Sequence, residues 1–216
     1  MSMISDMTRK LFNLLITAFV LAGCAAEVVG TPETIGYLVV DLSQGDGLTT
    51  KVSNDDLMEY DIVITGPADL TCKCAELPSV LELEPGSYTI SASSPGCEPA
   101  AFSQPIYASS TGFDIREGET TSVKLICTMQ NVKVTVNPSA AFKAQVKSYT
   151  VTVDNGEGLL VWTQADVDDG KEGFFSVAPL SISMRGISQT GVSLAYDGII
   201  SDVEAADHHI ISFDSL

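Results

Sequence analysis

Cations are scarce in this sequence. Eleven Lys and Arg stand against 28 Asp and Glu in 216 residues, a formal net charge of −17. A surface so negative repels phosphate backbones and anionic headgroups, which excludes nucleic acid as a partner. Histidine is nearly missing too: the only two, His208 and His209, are adjacent. Neighbours on a strand face opposite sides, so their rings cannot chelate one ion, and both are expected at the solvated start of a strand. Without another histidine or a G-x-S-x-G turn, serine-type hydrolysis has neither its base nor its elbow. Tryptophan occurs once, as Trp162 in GLLVWTQ, where alternation groups it with Leu160 and points it to a core. The run from Leu11 to Gly23 carries no charge but is shorter than the about 20 residues a membrane-spanning helix needs.

Acidic residues, by contrast, recur in loops. Asp46 sits in GDG, Asn54-Asp55-Asp56 follows, and Asp154-Asn155-Gly156-Glu157 and Asp166-Val167-Asp168-Asp169-Gly170 come later. The last begins like a calcium loop, but its third acidic residue and its glycine arrive one position early for an EF-hand. Solvated turn chemistry is the expected role of all four. No pair of carboxylates stands out as an acid–base dyad, and no metal, cofactor or catalytic residue is expected.

The uncharged run has its own meaning. Arg9 and Lys10 precede it, and it ends in Leu21-Ala22-Gly23-Cys24. A short basic region followed by an apolar stretch of this length has the dimensions of a secretory signal. Its last four residues resemble the bacterial lipobox, whose cysteine takes a diacylglycerol thioether and becomes the mature N-terminus. Residues 1–23 are therefore read as a lipoprotein signal peptide and Cys24 as the lipidation site, which attaches the protein to a membrane by its acyl chains. Ala25 follows, not Asp, so the expected address is the outer membrane. Segment 24–35, AAEVVGTPETI after the cysteine, reads as a tether.

From residue 36 the pattern is strand after strand. GYLVVDLS, YDIVITGP, GSYTISASS, TSVKLICT, NVKVTVNP, SYTVTVDNG and HHIISFD are short alternating or β-branched runs bounded by Gly, Pro, Asn and Asp. Only AAFKAQVK, residues 140–147, looks helical. A weak internal repeat sets YLVVDLSQGDGL from Tyr37 against YTVTVDNGEGLL from Tyr149. It also sets EPGSYTISASSPG from Glu84 against VAPLSISMRGISQ from Val177, and DIREGETTSVKL from Asp114 against DVEAADHHIISF from Asp202. The expected fold is all-β: two tandem small antiparallel β-sandwich domains, 36–129 and 130–216, of the transthyretin or prealbumin kind.

GSYTISASSP, FDIREGETTSV and NVKVTV, together with the lipobox, carry a closer resemblance. Over most of residues 36–185 the chain resembles an uncharacterised domain family of Bacteroidales surface lipoproteins grouped as adhesin candidates, with an architecture similar to that of fimbrillins. The resemblance implies a non-enzymatic cell-adhesion or fimbrial accessory protein, with fimbrial or other surface proteins as partners. The alternative is a glycan-binding accessory of a carbohydrate-uptake system. Fimbrillin polymerisation uses a trypsin-like cut, yet no Lys or Arg occurs between Cys24 and Lys51. A permanently anchored subunit or a stand-alone lipoprotein is therefore expected in preference to a polymerising pilin.

With Cys24 lipidated, four cysteines remain. Cys72 and Cys74 are too close in sequence to bond each other without strain, so a bridge from one of them to Cys97 is expected, with Cys127 facing the core. For ligand contact, Tyr107 in QPIYASS and Tyr196 in LAYDG sit beside turns and are expected to be the exposed aromatics.

Overall fold

The computed structural model describes residues 34–45, 54–96 and 99–214. Cys24, the tether up to residue 33, and Cys97 lie outside the described residues. Thr34–Leu216 forms one compact unit.

The first half supplies strands β1 (Gly36–Gln44), β2 (Asp61–Thr65), β3 (Leu70–Lys73), β4 (Leu81–Leu83), β5 (Gly86–Ser93), β6 (Ala100–Phe102), β7 (Tyr107–Ile115) and β8 (Thr120–Met129). The second half supplies β9 (Val132–Val136), β10 (Val146–Asp154), β11 (Leu159–Thr163), β12 (Gly173–Phe175), β13 (Leu180–Ser188), β14 (Ser193–Ile200) and β15 (His208–Ile211). Alternation drives the clearest of them, β5, β8, β10 and β11. In β8, Val123, Leu125, Cys127 and Met129 are buried while the residues between them face water, as a period of two on a one-sided sheet requires.

In the first sandwich the ladder β3-β2-β5-β7 lies over β8-β1-β4. The two layers join at a corner where β7 meets β8 through Tyr107 with Met129 and Ala108 with Thr128. The second sandwich sets β11-β10-β13-β14 over β15-β9-β12. The topologies correspond strand for strand. In both, the first strand runs parallel to the last, β1 with β8 and β9 with β15, and antiparallel to a short strand, β4 or β12. The fold is thus all-β with largely antiparallel pairing, and one parallel pair lies within each sandwich.

This correspondence corrects part of the repeat. β5 matches β13 and β8 matches β15, as the sequence comparison proposes. Tyr149, however, lies in β10, whose counterpart is β2; the counterpart of β1 is β9. A strand followed by an acidic glycine turn is a local hairpin signal, and only pairing with the last strand distinguishes the first strand from the second.

The two sandwiches also exchange parts. β6, which the sequence division assigns to the first domain, pairs with β12 at the edge of a second-sandwich sheet. There the Phe102 ring meets Trp162 edge-on at 4.9 Å, and Lys171 Nζ sits 4.1 Å from the ring centre. In return Phe174 of β12 joins the first core, while Phe175 joins the second.

Among the described residues three short α-helices occur where one is expected. α2 (Ala140–Gln145) matches the predicted helix and is capped by Ser139, whose Oγ accepts from Phe142 N. α1 (Asn54–Met58) and α3 (Gln164–Asp168) were not anticipated. The signal for α3 was present in Thr163 and Asp166, which form a reciprocal capping box.

Candidate functional site

The residues singled out in the sequence do not converge. Tyr196 is half-exposed on β14, with its ring edge-on to Phe213 at 5.7 Å. Tyr107 is only 8% exposed, which corrects its expected exposure. It begins β7 at the corner where the two layers join, and pairing with Met129 turns its ring into the first core. Trp162 is fully buried, and its indole Nε1 donates to Lys171 O at 2.8 Å.

Cys72 and Cys74 are free thiols, half-buried at the end of β3 and just after it, and Cys127 is a buried free thiol facing the core. The expected partner Cys97 lies outside the described residues. Burial raises all three pKa values, that of Cys127 to about 11, with nearby Cys74 adding to it. They are therefore poor nucleophiles at neutral pH.

The histidines are less solvated than expected. Both are half-buried, because β15 lies beside β9 instead of standing free. A His208 ring nitrogen lies 3.0 Å from Thr135 Oγ1, and burial lowers the His208 pKa, with Lys133 adding to the effect.

Asp46 lies outside the described residues, and the two later acidic loops serve the fold. Asp154 Oδ1 accepts from Gly156 N, and buried Asn155 accepts from Glu157 N and Gly158 N while its amide donates to Pro99 O and Ser176. Asp166 caps α3 and pairs with Lys171 at 2.8 Å, and Asp168 pairs with Lys143 at 2.6 Å. Among the described residues no three His, Cys, Asp or Glu side chains gather as a metal site.

Two features remain as candidate sites. One is a cleft of about 720 Å³ at one end of the first sandwich. Its base is Tyr60, 2% exposed, whose hydroxyl donates to Gln44 Oε1 at 3.2 Å. Burial is the main cause that pushes the Tyr60 phenol far above its ordinary range, so it stays a neutral donor. Ser94 Oγ accepts from Tyr107 N at 2.9 Å in the adjoining wall. The opposite wall, Ser103-Gln104-Pro105, is set by Asn131. The Asn131 amide donates to Gln104 O and its oxygen accepts from Ile106 N, both at 3.1 Å. Asp56 of α1 and Glu59 also line it, and none of its described lining residues is Lys, Arg or His. Sequence reasoning missed this cleft because four distant segments build it, and none of its residue types is unusual locally.

The other candidate is the outer face of β11-β10-β13-β14. Cross-strand pairing lines up Leu159, Asp154, Ser181 and Ile199 in one row and Val161, Thr152, Ser183 and Asp197 in the next. Aliphatic side chains thus border a hydroxyl-rich centre, with Leu159 53% and Ile199 73% exposed. Among the described residues β14 pairs only with β13, and no strand lies along its other edge.

Residues 35–216 match the family described as a domain of unknown function, DUF4493. The chain belongs to that family. None of the curated proteins matches it. Several solved structures have similar chains, and three of them illustrate the low identity. A candidate cell adhesion protein from Bacteroides eggerthii is 8% identical with a TM-score of 0.48, over 85% of this chain and 87% of that one. The fimbrial anchor protein Mfa2 from Porphyromonas gingivalis is 9% identical with a TM-score of 0.46, over 82% and 90%. A candidate cell adhesion protein from Bacteroides thetaiotaomicron is 12% identical with a TM-score of 0.43, over 82% and 92%.

Proposed function

We propose that this DUF4493 chain is a non-enzymatic surface lipoprotein of the outer membrane, anchored through Cys24, that seats a protein partner in an adhesion or fimbrial accessory role. The observation that carries the reading is the edge of β14, unpaired among the described residues, beside its exposed aliphatic border. An unpaired edge offers a row of backbone donors and acceptors to an incoming strand, and exposed Ile199 and Tyr196 offer it apolar contact. Asp197, held by Arg185 at 2.8 and 3.1 Å, puts a charge pair on the Ile199 face and discourages indiscriminate pairing. The engagement of the two later acidic loops in caps and turns, and of the described thiols in a core, supports a binding protein over an enzyme.

Two measurements test it together. Fractionation and acyl labelling of cells making the wild type and Cys24→Ala should show label and membrane association lost in the variant. A photocrosslinking residue at position 199 should give a discrete protein adduct, and one at exposed Val177 should not. A soluble, unlabelled wild type, or equal adducts at both positions, would sink the reading.

A further inference from the structure

Ile199 protrudes beside a hollow of about 640 Å³ in the outer face of the second sandwich. Leu159, also exposed, forms the opposite wall of that hollow, and the short side chains of Thr152, Ser181 and Ser183 form its floor. The two aliphatics lie on the first and fourth strands of one sheet, about 14 Å apart, and cannot meet within one chain. A protruding aliphatic and an apolar-walled hollow on the same face complement each other between two copies. Charge points the same way. Two chains of formal charge −17 repel on most approaches. Here the outward side chains run in four paired rows, from Leu159 and Ile199 at one end to Ser148, Ile187 and Ser193 at the other. The charged members of those rows are Asp154, Asp197 and Arg185, and Arg185 holds Asp197. Four strands about 4.8 Å apart and four rows about 6.8 Å apart make about 500 Å² of flat face per copy. Two copies thus reach the about 1,000 Å² of a specific interface before side-chain relief is counted.

We infer that this face is the interface of a symmetric dimer of this chain. A twofold axis parallel to the strands lowers Ile199 of each copy into the hollow of the other, against Leu159. The two exposed aliphatics of each copy then bury those of the other. The contact uses the face of the sheet, whereas strand addition uses the backbone edge of β14, so the two are separate.

The test is sedimentation equilibrium of the purified full-length protein in a density-matched detergent, with a reductant present so that the thiols cannot link copies. The expected result is a reversible dimer, weakened at least tenfold by Leu159→Lys and by Ile199→Glu. Combining the two substitutions should recover most of the lost affinity, because they face each other across the axis with opposite charge. Both positions are exposed, so each variant should melt like the wild type, which separates lost association from lost folding. A wild type that stays monomeric across the micromolar range, association unchanged in both single variants, or a double variant no stronger than the singles would each overturn the inference. A monomer leaves the capture of a different protein at the edge of β14 standing.

Discussion

Phe174 and Phe175 are neighbours in sequence and belong to different hydrophobic cores. β12 lies between the sandwiches, so the alternation that elsewhere separates core from water here separates one core from the other. Phe102 returns the exchange against Trp162. Phe174→Ala and Phe175→Ala should each cost about 3–5 kcal/mol, the usual range for emptying a buried ring site. Hydrogen exchange should rise around β7 and β8 in the first variant and around β10 and β13 in the second.

Asn131 is a buried polar side chain whose two hydrogen bonds both go to backbone on the β6–β7 connection. Asn131→Ala strands Ile106 N–H and Gln104 C=O, at a cost of about 1–3 kcal/mol. Denaturant melts should read that loss, and exchange at Ile106 should quicken most.

Gly173 has no room for a side chain. An added Cβ would stand 2.5 Å from Trp162 ring carbons and 2.9 Å from Leu160 Cδ1. Gly173→Ala should therefore destabilise by about 1–3 kcal/mol through overpacking, with a changed Trp162 fluorescence maximum.

Acid should weaken the second sandwich through Asp166. The Lys171 ammonium and then the Thr163 hydroxyl and amide hold its carboxyl well below the usual carboxylate range. A depressed folded-state pKa contributes stability that is present above the unfolded value of about 4 and is lost as pH falls below it. Wild type should lose melting temperature on the acid side of pH 4, and Asp166→Asn should start lower and fall less steeply over the same window.

How much was legible can be argued element by element. β5, β8, β10 and β13 were plain because one face of each is buried and a period of two survives in the residue order. Trp162 and Cys127 were placed in the cores by the same rule. Tyr107 defied it, because proximity to a turn says nothing about whether a layer corner closes over a ring. The cleft escaped notice entirely, since Gln44, Glu59, Ser94 and Gln104 meet only when the strands that carry them pair.

Local periodicity, turn residues and capping patterns therefore determined the all-β class, most strands, the helix after Ser139 and the inward set of side chains. Each of those follows from contacts within a few residues. Only the tertiary structure decided which strand corresponds to which, that β6 crosses to the second sandwich, that β14 has one strand partner among the described residues, and that a cleft forms over Tyr60. Those are outcomes of long-range pairing, which depends on how whole layers bury their faces and leaves no periodic trace in the chain.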